Sequence, residues 1–175
     1  HDRPNMLLFD IQTYQKNEIA EFTRQSSLPV LQQVPLVAMR IQTINGVTQR
    51  EAIQDSTISY RNFLFNREFR VTYRDSLIDS EEISRGKLIP YTNPTDTIFI
   101  SMDEDFANSQ HFEIGDEIVF NVQGFPLKTI LGSYRIIDWN RIQTNFLVLF
   151  PRGVLEAAPQ FHVLITRVTS TEQAA

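Results

Sequence analysis

Between Tyr134 and Pro159 the chain reads YRIIDWNRIQTNFLVLFPRGVLEAAP, and its apolar residues come in blocks. A strand-like segment runs into Asp138 and the single tryptophan, Trp139. A polar link, residues 140–144, leads to the uninterrupted apolar run Phe146-Leu147-Val148-Leu149-Phe150. A short apolar run bounded by turn residues is the pattern of a strand buried on both faces. Pro151 stops it, Gly153 bends the chain, and residues 155–158 make a short apolar turn ended by Pro159. The stretch is a scaffold, and it holds no nucleophile with a base beside it.

The same patterning predicts elements along the rest of the chain. Residues 6–11 form a short apolar strand, and residues 13–26 a helix capped by Thr13, with Ile19 and Phe22 on one face and Tyr14 and Gln15 near the same stripe. Pro29 and Pro35 frame a loop, and a second strand covers 36–44, ended by the turn Asn45-Gly46. Together these make a β-α-β unit, with a right-handed crossover if its strands are parallel neighbours. Residues 55–64 are ambiguous; Asp55 or Ser56 is the cap if they form a helix. Residues 67–74 alternate Phe69, Val71 and Tyr73 with Arg70, Thr72 and Arg74, a strand with one apolar and one basic face. Residues 75–89 read as loop with a bend at Gly86, and Pro90 and Pro94 bracket a further loop.

Residues 97–100 form a strand, after which Ser101 to Glu104 reads as a capping box opening a short helix. Gly115-Asp116 turns into a strand over 117–122, Gly124 into 127–131, and a further strand covers 133–137, with a break at Gly132. With 146–150, these strands have the spacing of a small antiparallel barrel or curled sheet. Residues 163–168 alternate as a return strand, and Ser170 with Gln173 forms another capping box. A helix beginning where the sequence stops, and a polar opening without Met or signal peptide, read as an excised piece of a longer protein. The expected fold class is α+β, a β-α-β part with an inserted β-rich part.

Composition narrows the function. A chain of 175 residues is long enough for one good core, burying about 70% of its unfolded surface. The net charge of −5 comes without a basic block, which excludes nucleic acid as a natural partner. The absence of cysteine removes thiolate metal sites, disulfides and Cys nucleophiles. Apolar runs reach about five residues, where a membrane span needs about 20.

Candidate chemistry is thin. Asp103-Glu104-Asp105 lacks a matching ligand pair at metal spacing, and acidic residues suit a first helical turn. His111 and His162 make no HxH or HExxH pattern. Ser101, Ser133 and Ser170 sit in no GxSxG elbow. Carboxylate pairs such as Asp75 with Asp79, or Asp116 with Asp138, are more simply turn residues. Asp138 reads as an acceptor for local backbone N–H groups, with Arg135 near enough to pair with it, and a buried Trp139 indole would need an acceptor. No catalytic residue, cofactor site or metal site is assigned.

A set of motifs then carries a resemblance. In order they are Ile44-Asn45-Gly46; Asn66-Arg67-Glu68-Phe69 with Tyr73-Arg74-Asp75; Arg85-Gly86-Lys87; Gly115-Asp116 through Phe120; Arg135 through Trp139; Asn145-Phe146; and Phe150-Pro151 through Pro159. From about Asn5 onward the chain resembles the extracytoplasmic domain of FtsX-like, MacB-type ABC transporter permeases, in particular the YbbP-like branch. That resemblance implies a porter-like β-α-β part over 1–64 and 151–175, its second half truncated, and a β-rich sabre-like insertion over 65–150. It implies a non-catalytic periplasmic domain of a bacterial inner-membrane protein, with a dimer of the membrane-embedded parent left open. A separate cytoplasmic ATPase subunit would drive it by mechanotransmission, and it would contact a partner protein or a hydrophobic, lipid-like cargo. Asn66, Arg67, Glu68, Phe69, Arg74, Asp75, Gly115, Asp116, Asp138, Trp139, Asn145 and Phe146 are its motif residues, expected to serve mainly the fold. The loop 75–97, with Leu88 and Tyr91, is the expected interface. The alternatives are a soluble β-rich small-molecule-binding domain or enzyme, told apart by a deep polar pocket, and a structural adaptor.

Overall fold

The computed structural model describes residues 6–12, 15, 17–19, 21, 30–58, 62–140 and 145–166. The strands are β1 (Met6–Gln12), β2 (Val30–Ile44), β3 (Val47–Thr48), β4 (Phe69–Tyr73), β5 (Glu81–Gly86), β6 (Ile98–Asp103), β7 (Glu117–Val122), β8 (Phe125–Ile137), β9 (Val148–Phe150) and β10 (Phe161–Thr166). Short helices among the described residues include α1 (Gln49–Gln54), α2 (Phe63–Asn66) and α3 (Glu104–Ser109). The chain is α+β with strands dominant. It divides into two compact units, residues 1–36, 139–144 and 159–175 in one and residues 37–138 and 145–158 in the other.

In the first unit β10 lies between β1 and the opening residues of β2, antiparallel to both, with Leu7 opposite Ile165 and Val34 opposite Val163. β1 and β2 therefore run the same way without being neighbours, with a return strand between them. Such a strand is paired on both edges and buried on both faces, as Val163 and Leu164 are. β2 begins before the position its pattern predicts, and Pro35 lies inside it opposite His162; a proline removes one donor there and fixes a compatible φ. Residues 17–19 and 21 are helical. The predicted cap Thr13, much of the helix over 13–26, Arg167, Val168 and the Ser170–Gln173 box lie outside the described residues.

The second unit is a closed six-stranded barrel. β2 pairs antiparallel with β4, β4 parallel with β9, β9 antiparallel with β6, β6 parallel with β8, and β8 antiparallel with β7. β7 closes the ring against β2, with Ile44 opposite Ile118. The barrel is mixed, not antiparallel: α3 and the β7–β8 hairpin separate β6 from β8 and return the chain in the same direction. Its interior holds Val37, Met39, Ile41, Val71, Ile100, Met102 and Leu131 among others. Phe120 packs against Phe69 edge-on at 6.2 Å and against Phe150 at 5.9 Å, separations at which ring quadrupoles attract.

Several local expectations change. Thr48 caps α1, a helix not expected after the first hairpin, in a reciprocal capping box with Glu51. Asp55 ends α1 and accepts from Thr57 rather than opening a helix over 55–64, where α2 starts only at Phe63. Asp103, not Ser101, caps α3, accepting from Phe106 N at 3.0 Å. Ser101 and Met102 are buried within β6, so the strand must run on past the position the box pattern assigns to the helix. The basic face of β4 is solvated only at Arg70, because Thr72 is buried. β5 lies where a loop was expected and pairs with β8, Glu82 opposite Ile136.

β8 is one strand where two were expected. Leu131 faces Ile100 and Ser133 faces Ser101, so Gly132 is an extra residue in the ladder, a bulge. A Cβ on Gly132 would lie 3.0 Å from the Phe99 side chain. Gly86 takes φ +75, and a Cβ there would lie 2.1 Å from the Gly132 carbonyl oxygen. Gly86→Ala should therefore destabilise the chain by about 2 kcal/mol or more, from left-handed strain plus the clash. Gly124→Ala has φ +93 but open space and should cost about 1 kcal/mol; urea unfolding of the two variants measures the difference.

Candidate functional site

The most polar buried cluster forms around Arg135 on β8. Its side chain is 0% exposed and pairs with the Glu81 carboxylate. It also donates from Nε to Ser101 Oγ at 3.1 Å, and from one terminal nitrogen to the Phe146 and Leu147 carbonyls at 2.8 and 3.2 Å. Arg74 holds the same carboxylate at 2.5 and 3.2 Å, and Ile78 N donates to it at 3.1 Å. Burial pushes the Glu81 carboxyl up, but the hydrogen bond from Arg74 and the two guanidinium charges outweigh it and hold the pKa low. Burial lowers Arg135, against the pull of Glu81. Burial raises Asp103, its hydrogen bond to Phe106 N only partly opposing this. Both Glu81 oxygens and all three Arg135 nitrogens are bonded, while Arg74 Nε is buried without a partner; the cluster acts as a brace between strands. Arg135 thus pairs with Glu81 and not with Asp138, whose backbone N donates to Ser80 O at 2.8 Å.

The motif residues gather around three points. Arg74, Asn145 and Phe146 surround the Arg135 brace, Asn145 accepting from Ser80 Oγ at 2.6 Å. Arg67, although exposed, lies over the rings of Phe69 and Phe106 at 5.2 and 5.3 Å, a cation–π arrangement. Asn66 accepts from Gln49, and Glu68 is exposed beside it. Gly115 and Asp116 form the turn before β7, where Asp116 accepts from Glu113 N and from Asn45 Nδ2. Asn45 Oδ1 in turn accepts from Glu117 N at 2.8 Å, tying two turns together. Trp139 is 50% exposed, so the buried indole considered from sequence is not found. His111 sits at φ 63 just after α3. Among the described residues no group of three or more His, Asp or Glu side chains is placed to hold a metal ion.

The expected interface residues are accessible to different degrees: Tyr91 is 60% exposed and Leu88 half-buried. Their loop is fixed by backbone, with Thr92 N donating to Arg152 O and Arg152 N to Pro90 O. Gly153 makes this possible, since at φ +99 a Cβ would lie 2.7 Å from the Tyr91 ring. Arg152 reaches Asp75 at 3.3 Å, and that contact with the Ser76 hydroxyl holds the Asp75 carboxyl below its usual range. Asp75, Pro90, Tyr91, Arg152, Gly153 and Glu156 line a cavity of about 560 Å³. It offers an aromatic face and charges of both signs. The sequence reading missed Arg152 and Glu81; an arginine inside the apolar segment Tyr134 to Ile137 was the available signal for the brace.

No protein-family model matches the chain. It is 26% identical, over 159 residues and 91% of its length, to the uncharacterized ABC transporter permease YbbP of Escherichia coli (strain K12). The chain spans only 18% of that relative. Among solved structures, a domain of a protein named as a permease from Porphyromonas gingivalis matches with a TM-score of 0.40 at 10% identity, covering 86% of this chain and 68% of that one.

Arg135→Met should lower stability by about 3–5 kcal/mol in urea unfolding, because it leaves the buried Glu81 carboxylate half-compensated. For pH the sign follows from the directions. The lowered Glu81 contributes stability above its ordinary value of 4.5 that is lost as pH falls through its folded pKa, whereas the raised Asp103 works the opposite way. The stability gap between the natural chain and Glu81→Gln should accordingly shrink as pH falls below 4.5. A gap that stays constant down to the acid limit would contradict the assignment.

Proposed function

We infer that this chain, homologous over 91% of its length to part of an ABC transporter permease, is the extracytoplasmic domain of such a permease. The sequence relationship, running across nearly the whole chain, is the observation that carries this reading. The domain is non-catalytic: it moves with membrane helices driven by a separate cytoplasmic ATPase subunit, and meets a partner protein or a hydrophobic cargo outside the membrane. Residues 1–64 and 151–175 serve as the porter-like part and 65–150 as the β-rich insertion. Among the described residues no helix is long and apolar enough to cross a membrane.

In this reading the motif residues Asn66, Arg67, Glu68, Phe69, Arg74, Asp75, Gly115, Asp116, Asp138, Trp139, Asn145 and Phe146 hold the domain's shape, while Leu88 and Tyr91 meet the partner. Exposed aromatics on a backbone-fixed loop suit such contacts, because a rigid scaffold presents them at little entropic cost.

Location is testable by labelling, since this segment contains no cysteine of its own. In the full-length protein, with other cysteines replaced, Thr95→Cys should react with a membrane-impermeant maleimide once the outer membrane is permeabilised. Reaction only after the inner membrane is lysed would overturn the periplasmic assignment. If the domain moves with the ATPase cycle, the labelling rate should also change between ATP-bound and nucleotide-free states. Tyr91→Ala should leave stability within about 0.5 kcal/mol and reduce the parent's activity; unfolding instead would place Tyr91 in the core.

A further inference from the structure

Among the described residues the barrel carries a break in its strand pairing at β2. β7 pairs with β2 from Arg40 to Ile44, and β3 pairs with Thr43 and Ile44 on the other edge. Closure of the barrel puts β4 on that same edge, where it pairs with Val37 to Met39. Between Met39 and Thr43 this edge of β2 has no partner strand among the described residues. Arg40, Ile41 and Gln42 border the gap, and the ladder to β7 shifts register between Ile41 and Thr43, which marks Gln42 as a bulge. Backbone groups on an unpaired edge accept an added strand.

The gap opens into a groove of about 700 Å³, walled by Arg50 of α1 and by Phe65 and Glu68 ahead of β4. Arg40 and Arg50 are both exposed there, and neither forms an ion pair with a described residue. Glu68 is the one carboxylate in the lining, leaving a surplus of positive charge in a chain whose net charge is −5. An unpaired edge calls for an extended backbone, and two guanidiniums against a single carboxylate call for an anion.

We propose that this groove is a docking site for a short extended peptide segment of a partner protein, which adds as a strand beside Ile41 and carries a carboxylate taken by Arg40 and Arg50. At about 3.4 Å per residue the gap accommodates roughly three residues of an added strand, so affinity is modest and depends on the charged contacts. The site does not depend on where the domain lies in the cell.

The test titrates the isotope-labelled 175-residue chain with an N-acetylated, C-amidated, valine-rich pentapeptide carrying one central aspartate. Amide shifts are expected at Ile41, Gln42, Arg50 and Asn121, saturating at millimolar peptide. The asparagine counterpart, and the Arg40→Gln and Arg50→Gln variants, should each weaken binding about three- to tenfold, while a peptide N-methylated along its backbone should not bind. Both substitutions are at exposed positions, and an unchanged amide spectrum confirms that the variants fold. Absence of shifts at these amides, shifts spread over the surface, or equal binding by the asparagine peptide would overturn the proposal. Equal binding by the N-methylated peptide, or by laurate, would assign the groove to an anionic amphiphile and overturn strand addition.

Discussion

The buried Arg135–Glu81 pair is the constraint on which the barrel depends. It joins β8 to β5, and through Ser101 and the carbonyls of Phe146 and Leu147 it fixes β6 and the approach to β9. Removing two charges from water costs several kcal/mol per ion, and the arrangement is tolerable only because the remaining donors and acceptors are bonded. Arginine suits it better than lysine, because its planar fork addresses a carboxylate, a hydroxyl and carbonyls from fixed directions. Arg74 completes the carboxylate's coordination from the end of β4. Strands far apart in sequence thus share one charge cluster, which an apolar core alone would not hold in a single register.

The bulge at Gly132 decides which face of β8 that arginine takes. Beyond it Tyr134 lies opposite Met102 and joins the apolar core, while Arg135 lies opposite Asp103, on the face that carries Ser101. The extra residue shifts the phase of β8, and Gly86 lets β5 come against the Gly132 carbonyl without a Cβ in the way. Two glycines therefore set up an ion pair that neither touches. Away from it, the Asn45–Asp116 contact and the Arg152–Gly153 clasp fix loops onto the barrel by hydrogen bonds, so that exposed residues such as Tyr91 stand on a rigid support.

Much of this was legible in the chain. The alternation through Phe69, Arg70 and Val71, the Asn45-Gly46 hairpin, the strand after Gly115-Asp116 and the apolar run into Phe150 all appear where their patterns put them, because local periodicity and turn chemistry act over a few residues. β5 was not legible, since Glu81 to Gly86 reads as polar loop until the buried partner of Glu81 is known. The helix start moved from Ser101 to Asp103 because the demand of the core for Met102 outweighs a capping pattern. Leu88 and Tyr91 came from the same loop, yet only the fold separates a half-buried residue from an exposed one.

By itself, then, the sequence determined the strand-forming segments, the tight turns, the lack of cysteine chemistry and the motif order that relates this chain to a transporter permease. Those properties reside in neighbouring residues or in composition. The tertiary structure decided that β10 lies between β1 and β2, that the barrel closes with two parallel pairings, that Arg135 meets Glu81, and that one edge of β2 beside Arg40 and Arg50 has no partner strand among the described residues. Each of these rests on contacts between residues distant in the chain, and no local preference specifies which distant partner satisfies a buried charge or an unpaired strand.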